Sequence, residues 1–257
     1  MMNKLFAGTS GWAYPSWKPG FYPVKHPGKR LLEHYGTRLN SVEVNYTFRK
    51  LPTEAQLAGW LAAVAPEFRF SFKAPEVVTH RRRLRDCGDA VEQFVASLEP
   101  VRAAGALGCI LFQLPPNFKA EWPRLEAFLA MPQLAGAGRI AFEFRHSSWF
   151  QEETWSILRA YGAAVCVAES EDLETPDVLT APDFACYRLR MPGGYSSSEV
   201  ALHAKRFRTL SQTRDVFVYY KHEDAPHGPL AAEAMLLQAR AKLKARKSTP
   251  ARGQVAE

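Results

Sequence analysis

No uncharged apolar run in this 257-residue chain approaches the roughly 18 residues of a membrane-spanning helix. Gly8 interrupts the first apolar stretch before it reaches the length of a secretory signal's hydrophobic segment. A soluble cytoplasmic protein with no membrane partner is therefore expected. Cysteine is scarce. The four residues, at 87, 109, 166 and 186, have neither the close spacing of a zinc site nor the density of a disulfide scaffold, and the last three fall in apolar runs, as reduced core thiols do. The seven histidines form no HxxxH or HxH pair, so no metal site is assigned. Gly-x-Gly-x-x-Gly, the Walker sequence and Gly-x-Ser-x-Gly are all absent. Dinucleotide binding, P-loop chemistry and serine hydrolysis thus lack their usual signals, and the cofactor stays unknown.

Apolar material is ample: 47% of residues are hydrophobic and 23% charged, which is enough for a sizeable core and excludes disorder over most of the chain. The net charge is +7, unevenly spread. Between Gln238 and Arg252 stand Arg240, Lys242, Lys244, Arg246, Lys247 and Arg252 without one acid, which reads as a basic helix end fraying into a tail. A domain over 1–238 followed by a basic end over 239–257 is expected. A second basic run, His80-Arg81-Arg82-Arg83-Leu84-Arg85, interrupts the body of the chain.

Eight short apolar runs read as strands: Leu5 to Gly8, Ser41 to Asn45, Phe68 to Lys73, Leu107 to Gln113, Arg139 to Phe144, Ala163 to Ala168, Phe184 to Leu189 and Val216 to Tyr220. Amphipathic helical stretches separate them: Lys29 to Gly36, Thr53 to Ala65, Asp89 to Ala104, Glu121 to Leu129, Glu152 to Tyr161, Ser197 to Ser211 and Pro229 to Ala245. The acidic connection Glu169 to Asp183 has two prolines and no helical stripe, so the sixth helix is expected to be missing or reduced. An alternating βα chain of this length forms either an open doubly wound sheet or a closed barrel. Polar residues at nearly every strand's carboxyl end, rather than at one switch point, favour a single (β/α)₈ barrel.

Those strand ends supply the candidate site. In Ser41-Val42-Glu43-Val44-Asn45, period-two alternation places Glu43 and Asn45 on the face opposite the valines. Lys73 opposes the phenylalanines of its strand, and Gln113 precedes Pro115-Pro116. Glu143 and Arg145 oppose Phe142 and Phe144; Arg188 alternates along the seventh strand, and Tyr220 ends the eighth. A charge pointing into a barrel is costly unless paired or near water, so the open mouth is the expected location. Pairing Glu43 with Lys73 and Glu143 with Arg145 would satisfy each charge, but a merely structural cap is cheaper to build from apolar groups. Gly8-Thr9-Ser10-Gly11-Trp12 follows the first strand and offers a ligand wall that includes Trp12.

At these residues the chain resembles the DUF72 family, also called YecE-like proteins. The resemblance runs from Gly8 to about Gln238. It rests on Gly-Thr-Ser-Gly-Trp from Gly8, Tyr14 with Trp17, Phe21-Tyr22-Pro23, Val42-Glu43-Val44-Asn45 with Thr47-Phe48, and Phe70 to Lys73. Thr79-His80, Leu111-Phe112-Gln113-Leu114-Pro115-Pro116 and Phe142-Glu143-Phe144-Arg145-His146 complete it. It implies a TIM-barrel fold without an assigned activity. Ser147 stands where the family usually has proline, and Tyr220-Lys221-His222-Glu223-Asp224 departs from the usual ending of the eighth strand.

The leading expectation is an enzyme, a hydrolase, lyase or isomerase, acting by acid/base chemistry on a small anionic substrate bearing phosphate or carboxylate. Glu43, Glu143 and Lys73 are the candidate catalytic groups. Arg145, Arg188, His80 and Arg81 would attract the anion, and Trp12, Asn45, Gln113 and Tyr220 would orient it. Two alternatives stand beside it: a nucleic-acid-binding or repair-type barrel using the basic loop and tail, and a non-catalytic ligand-binding module.

Overall fold

Large apolar residues alternate with small or polar ones along each strand, so every strand has one face for a helix layer and one for a barrel interior. The computed structural model describes residues 4–169, 173–221 and 224–247, with side chains as far as 241. Its strands are β1 (Leu5–Thr9), β2 (Ser41–Val44), β3 (Arg69–Lys73), β4 (Leu107–Gln113), β5 (Arg139–Glu143), β6 (Ala164–Ala168), β7 (Phe184–Leu189) and β8 (Asp215–Tyr220). All their pairings are parallel, in the order β1-β8-β7-β6-β5-β4-β3-β2. The helices are α1 (Leu31–Arg38), α2 (Glu54–Ala62), α3 (Gly88–Ser97), α4 (Glu99–Ala103), α5 (Trp122–Leu129), α6 (Glu152–Ala160), α7 (Ser197–Leu210) and α8 (His227–Lys247).

The expected barrel is present, and β6 leads to β7 with no helix among the described residues of the connection. One expected helix is two. Pro100 stands in the first turn of α4, where its missing N–H costs nothing, but it cannot sit in the interior of a helix continuing from α3. Capping boxes start α2, with Thr53 and Gln56, and α7, with Ser196 and Glu199. Position 238 falls inside α8, and 248–257 lie outside the described residues.

The alternation sorts the core into two layers. Phe6, Cys109, Leu111, Ala141, Cys166, Phe184, Cys186, Phe217 and Tyr219 pack inside the barrel, while their strand neighbours, such as Val42, Phe70, Phe142, Tyr187 and Val218, pack against the helices. All four cysteines are buried and unpaired.

Closure occurs between β1 and β2, and side chains make most of it. The Tyr35 hydroxyl accepts from the Thr9 backbone N–H at 2.8 Å and donates to the Ser41 carbonyl at 2.9 Å. Asn40 does the same one step down, accepting from the Ala7 N–H and donating to the Leu5 carbonyl. The strands come so close at Gly8 that a Cβ there would lie 1.8 Å from the Ser41 carbonyl oxygen. Above this, the Gly11 N–H donates to the Glu43 carbonyl at 2.8 Å. The seam thereby holds Ser10 against Glu43, at the mouth. Tyr35→Phe should lose about 1–3 kcal/mol in urea denaturation, because the Thr9 N–H and the Ser41 carbonyl are both buried and lose their shared partner. No change would mean that the strands can close directly.

Candidate functional site

The carboxyl ends of the strands surround a cavity of about 200 Å³ lined by Ser10, Asn45, Lys73, Gln113, Glu143, Arg145, Ala168, Glu169, Arg188, Leu189, Arg190 and Lys221. Its floor is an ion triad. Arg188, on the inward face of β7, crosses the barrel between two carboxylates that are almost completely buried, Glu43 at 1% exposure and Glu143 at 5%. Its Nη2 donates to Glu43 Oε1 at 3.0 Å, and its Nε lies 3.0 Å from Oε2 of the same carboxylate. Its Nη1 donates to Glu143 Oε2. The Ser10 hydroxyl donates to Glu43 Oε1 at 2.8 Å.

Gln113 links the triad to Lys73. Its amide nitrogen donates to Glu143 Oε1 at 2.8 Å, and its amide oxygen accepts from Lys73 Nζ at 2.7 Å. Lys73 Nζ also lies 4.1 Å from the centroid of the Phe48 ring. Among the described residues no carboxylate lies within 4 Å of this ammonium group. Burial, reinforced by the nearby Arg188 charge, pushes the Lys73 amine down to about 8. Burial alone would raise Glu143, but the charge and hydrogen bond of Arg188, with the Gln113 amide, outweigh it and hold that carboxyl below the usual range.

The pairing expected from sequence is different here. Glu43 and Glu143 share Arg188, so neither Lys73 nor Arg145 is their ion-pair partner. The reason is geometric: Glu43 stands level with Ser71, one inward step below Lys73, β5 ends before Arg145, and the long Arg188 side chain reaches both carboxylates from β7. Arg145 lies beyond the end of β5 and is exposed on the cavity wall, beside Arg190 and Lys221. Burial and the surrounding arginines, Arg190 first, lower the Lys221 amine. Among the described residues the one acid of this upper wall, Glu169, accepts from the Arg190 backbone N–H and the Tyr195 hydroxyl. The triad and Lys73 balance in formal charge, leaving the wall positive.

Of the residues singled out from sequence, Asn45, Lys73, Gln113, Glu143, Arg145 and Arg188 line the cavity, with Glu43 beneath them. Four others lie elsewhere. Tyr220 points into the helix layer, where its hydroxyl meets His203 Nδ1 at 3.2 Å and Met235 Sδ at 3.6 Å. In β8 the inward series is Phe217, Tyr219, Lys221, so the rim group is Lys221. Trp12 packs edge-on against Trp60 of α2, with ring centroids 5.2 Å apart. His80 and Arg81 belong to a π-helical turn, Val77–Arg81, and line a separate open concavity with Arg82, Arg83, Arg85, Asp86 and Arg124. His80 touches the Phe48 ring, whose face lies 4.1 Å from Lys73 Nζ, so that ring stands between this concavity and Lys73.

Sequence reading placed Ser10 in the wall loop after the first strand, and missed Glu169, Arg190 and Lys221 as wall residues. Alternation carried two positions past the inward Tyr219 and Arg188 would have found Lys221 and Arg190; Glu169 follows a strand end and carries no such signal. Of the residues outside the structural description, His222 and Glu223 belong to the unusual eighth-strand ending. Among the described residues no group of three or more His, Cys, Asp or Glu is arranged to hold a metal ion, and His146 bonds locally to Ser148. No helix of the described residues is long and apolar enough to cross a membrane.

Known proteins share this architecture. The chain is 32% identical over 147 residues to the UPF0759 protein YecE of Escherichia coli K12, a match covering 57% of this chain and 50% of YecE. It is 26% identical over 190 residues to the UPF0759 protein YunF of Bacillus subtilis 168, covering 70% and 66% of the two chains. The chain thus spans about half the length of YecE. The crystal structure of a DUF72 family protein, TM1631 from Thermotoga maritima, superposes with a TM-score of 0.76 at 26% identity, covering 93% of this chain and 99% of that one. An AP endonuclease of family 2 from Brucella melitensis shares the fold at a TM-score of 0.51 and 12% identity, covering 92% and 98%. The family model described as "Protein of unknown function DUF72" matches residues 6–254, and the chain belongs to that family.

Proposed function

We propose that the barrel mouth is the active site of an enzyme that binds a small carboxylate or phosphate compound and moves a proton on it. The observation that carries this reading is the division of charge in the cavity. Glu43 and Glu143 are engaged by Arg188, while Arg145, Arg190 and Lys221 face the cavity from its upper wall. Arg145 and Arg190 offer planar forks suited to an anion, and Lys221 a mobile point charge. A cavity of about 200 Å³ falls below the ~300–1,000 Å³ of drug-sized ligand pockets, which favours a compact metabolite over a dinucleotide. Glu143, held ionised in its ion pair, is a weak base. Lys73 titrates near neutral pH, where a proton-transfer group works best, so it takes the role first assigned to the carboxylates.

The arginine concavity supports a second reading, contact with a nucleic-acid backbone. Arg82, Arg83, Arg85 and Arg124 present a broad positive surface, partly offset by Asp86 and by Glu121, which pairs with Arg124 at 2.5 Å and reaches Arg85 at 4.0 Å. One experiment separates the two. Thermal melts with small oxoacids, phosphate and a duplex oligonucleotide should show stabilisation by the small anions. A ligand at a hundred times its Kd adds about 2.7 kcal/mol. The double variant Arg145→Ala/Lys221→Ala should melt like wild type when unligated, since both groups are exposed, and lose the ligand response. An unchanged response in that variant removes the mouth from consideration. Stabilisation by the duplex alone, falling steeply with salt, favours the second reading.

A further inference from the structure

Lys73 differs from the other charged groups of the floor. Its ammonium group has one hydrogen-bond acceptor, the neutral Gln113 oxygen at 2.7 Å, an aromatic face beneath it and no carboxylate within 4 Å among the described residues. Glu143, the carboxylate nearest through bonds, is spent on Arg188 and on the Gln113 amide nitrogen. The lysine lines the same small cavity as the cationic wall. A half-buried amine near a guanidinium, without a counter-ion of its own, is the arrangement that increases the uncharged, nucleophilic fraction of a lysine.

We propose that the Lys73 amine condenses with the carbonyl group of a small oxo acid whose carboxylate is held by the cations of the upper wall. The inference rests on the anion-binding reading of the mouth and adds a covalent step to it. The Nζ lone pair attacks the carbonyl carbon to form a C–N bond, and a proton passes from nitrogen to oxygen, giving a carbinolamine. The C–O bond then breaks, and the hydroxyl leaves as water with one proton taken from solvent at the open mouth. An iminium cation remains. No oxidant or reductant is consumed. The iminium N–H keeps the Gln113 oxygen as its acceptor, and the ionised Glu143 behind the amide compensates the new positive charge. Such an iminium acidifies the neighbouring C–H, so aldol, decarboxylation and elimination chemistry on oxo acids form the reaction class.

The test is reductive trapping on the full chain with pyruvate and, separately, glyoxylate in the presence of cyanoborohydride, followed by peptide mass analysis. Lys73 should gain the mass of one oxo acid less water plus two hydrogens. At pH 7.5 its label should form at least about tenfold faster than on the exposed Lys29 or Lys205, since each unit of pKa is a tenfold change in free amine. The rate should rise through about pH 8. Gln113→Leu, which keeps the lysine, should slow trapping at Lys73 and leave the exposed lysines unchanged. Labelling of Lys73 no faster than of the exposed lysines, with both compounds, overturns the proposal. If pyruvate nevertheless raises the melting temperature through Arg145 and Lys221, the covalent step alone has failed. If it does not, the anion-binding reading fails with it.

Discussion

Replacing Arg188 with methionine is expected to cost the fold about 3 to 5 kcal/mol in denaturant unfolding at pH 7, because two buried carboxylates lose their common counter-charge. Methionine keeps the length and apolar stem, so the loss reports charge rather than volume. The triple variant Glu43→Gln/Glu143→Gln/Arg188→Met should recover most of it, since no uncompensated ion remains. The pH dependence should change with it. Glu143 titrates below its unfolded value, so its contribution is present above the unfolded pKa and disappears as pH falls through the folded one. Without Arg188, burial is left to raise that carboxyl, and acid should then stabilise the variant relative to wild type. A loss under about 1 kcal/mol would mean that water from the mouth solvates both carboxylates, and the triad would not be a dry floor.

The second large effect concerns Lys73 and falls in an alkaline window, with the same sign of slope as that of Glu143 in the wild type. Its folded value of about 8 lies below its ordinary 10.5. Between these limits the unfolded chain holds a proton that the native chain has released, so stability rises with pH across that window. The gain should be about 2–3 kcal/mol, from a shift of this size at 1.36 kcal/mol per unit, lessened by the partial openness of the mouth. The quantity to measure is wild type minus Lys73→Met at pH 8 and pH 10. Tyrosines such as the buried Tyr22 and Tyr35 and the half-buried Tyr195, all raised chiefly by burial, favour the folded state less as they ionise on unfolding above their ordinary value, and the subtraction removes them. A flat difference would show that Lys73 remains an ordinary cation, which also weakens its place in the proposed chemistry.

The two residues show how far local pattern reaches. Lys73 faces inward because it stands two positions beyond Ser71 on a short strand, and nothing beyond β3 is needed to say so. Its low proton affinity is another matter, since that depends on burial in the closed ring and on the charge of Arg188 from β7. Arg145 and Tyr220 mark the limits. Arg145 follows Glu143 at the correct spacing, but β5 ends first and the side chain reaches the wall rather than the floor. Tyr220 falls out of step with the inward series of its own strand and packs beside His203 and Met235.

By itself the sequence determined the eight strands, the reduced sixth connection, the inward faces that carry Glu43, Lys73, Gln113, Glu143 and Arg188, and the family. These are local properties: a period of two, a proline that stops a helix, a capping side chain, a run of matching residues. Only the tertiary structure decided the partners. Parallel strands can slide in register and tilt about the barrel axis, and the resulting stagger sets which inward side chains share a level. It put Arg188 between two carboxylates from β2 and β5, left Lys73 with an amide instead of an acid, and raised Arg190 and Lys221 to the wall. A charge distribution of that kind belongs to the closed ring, because each group's neighbours lie across the barrel and not along the chain.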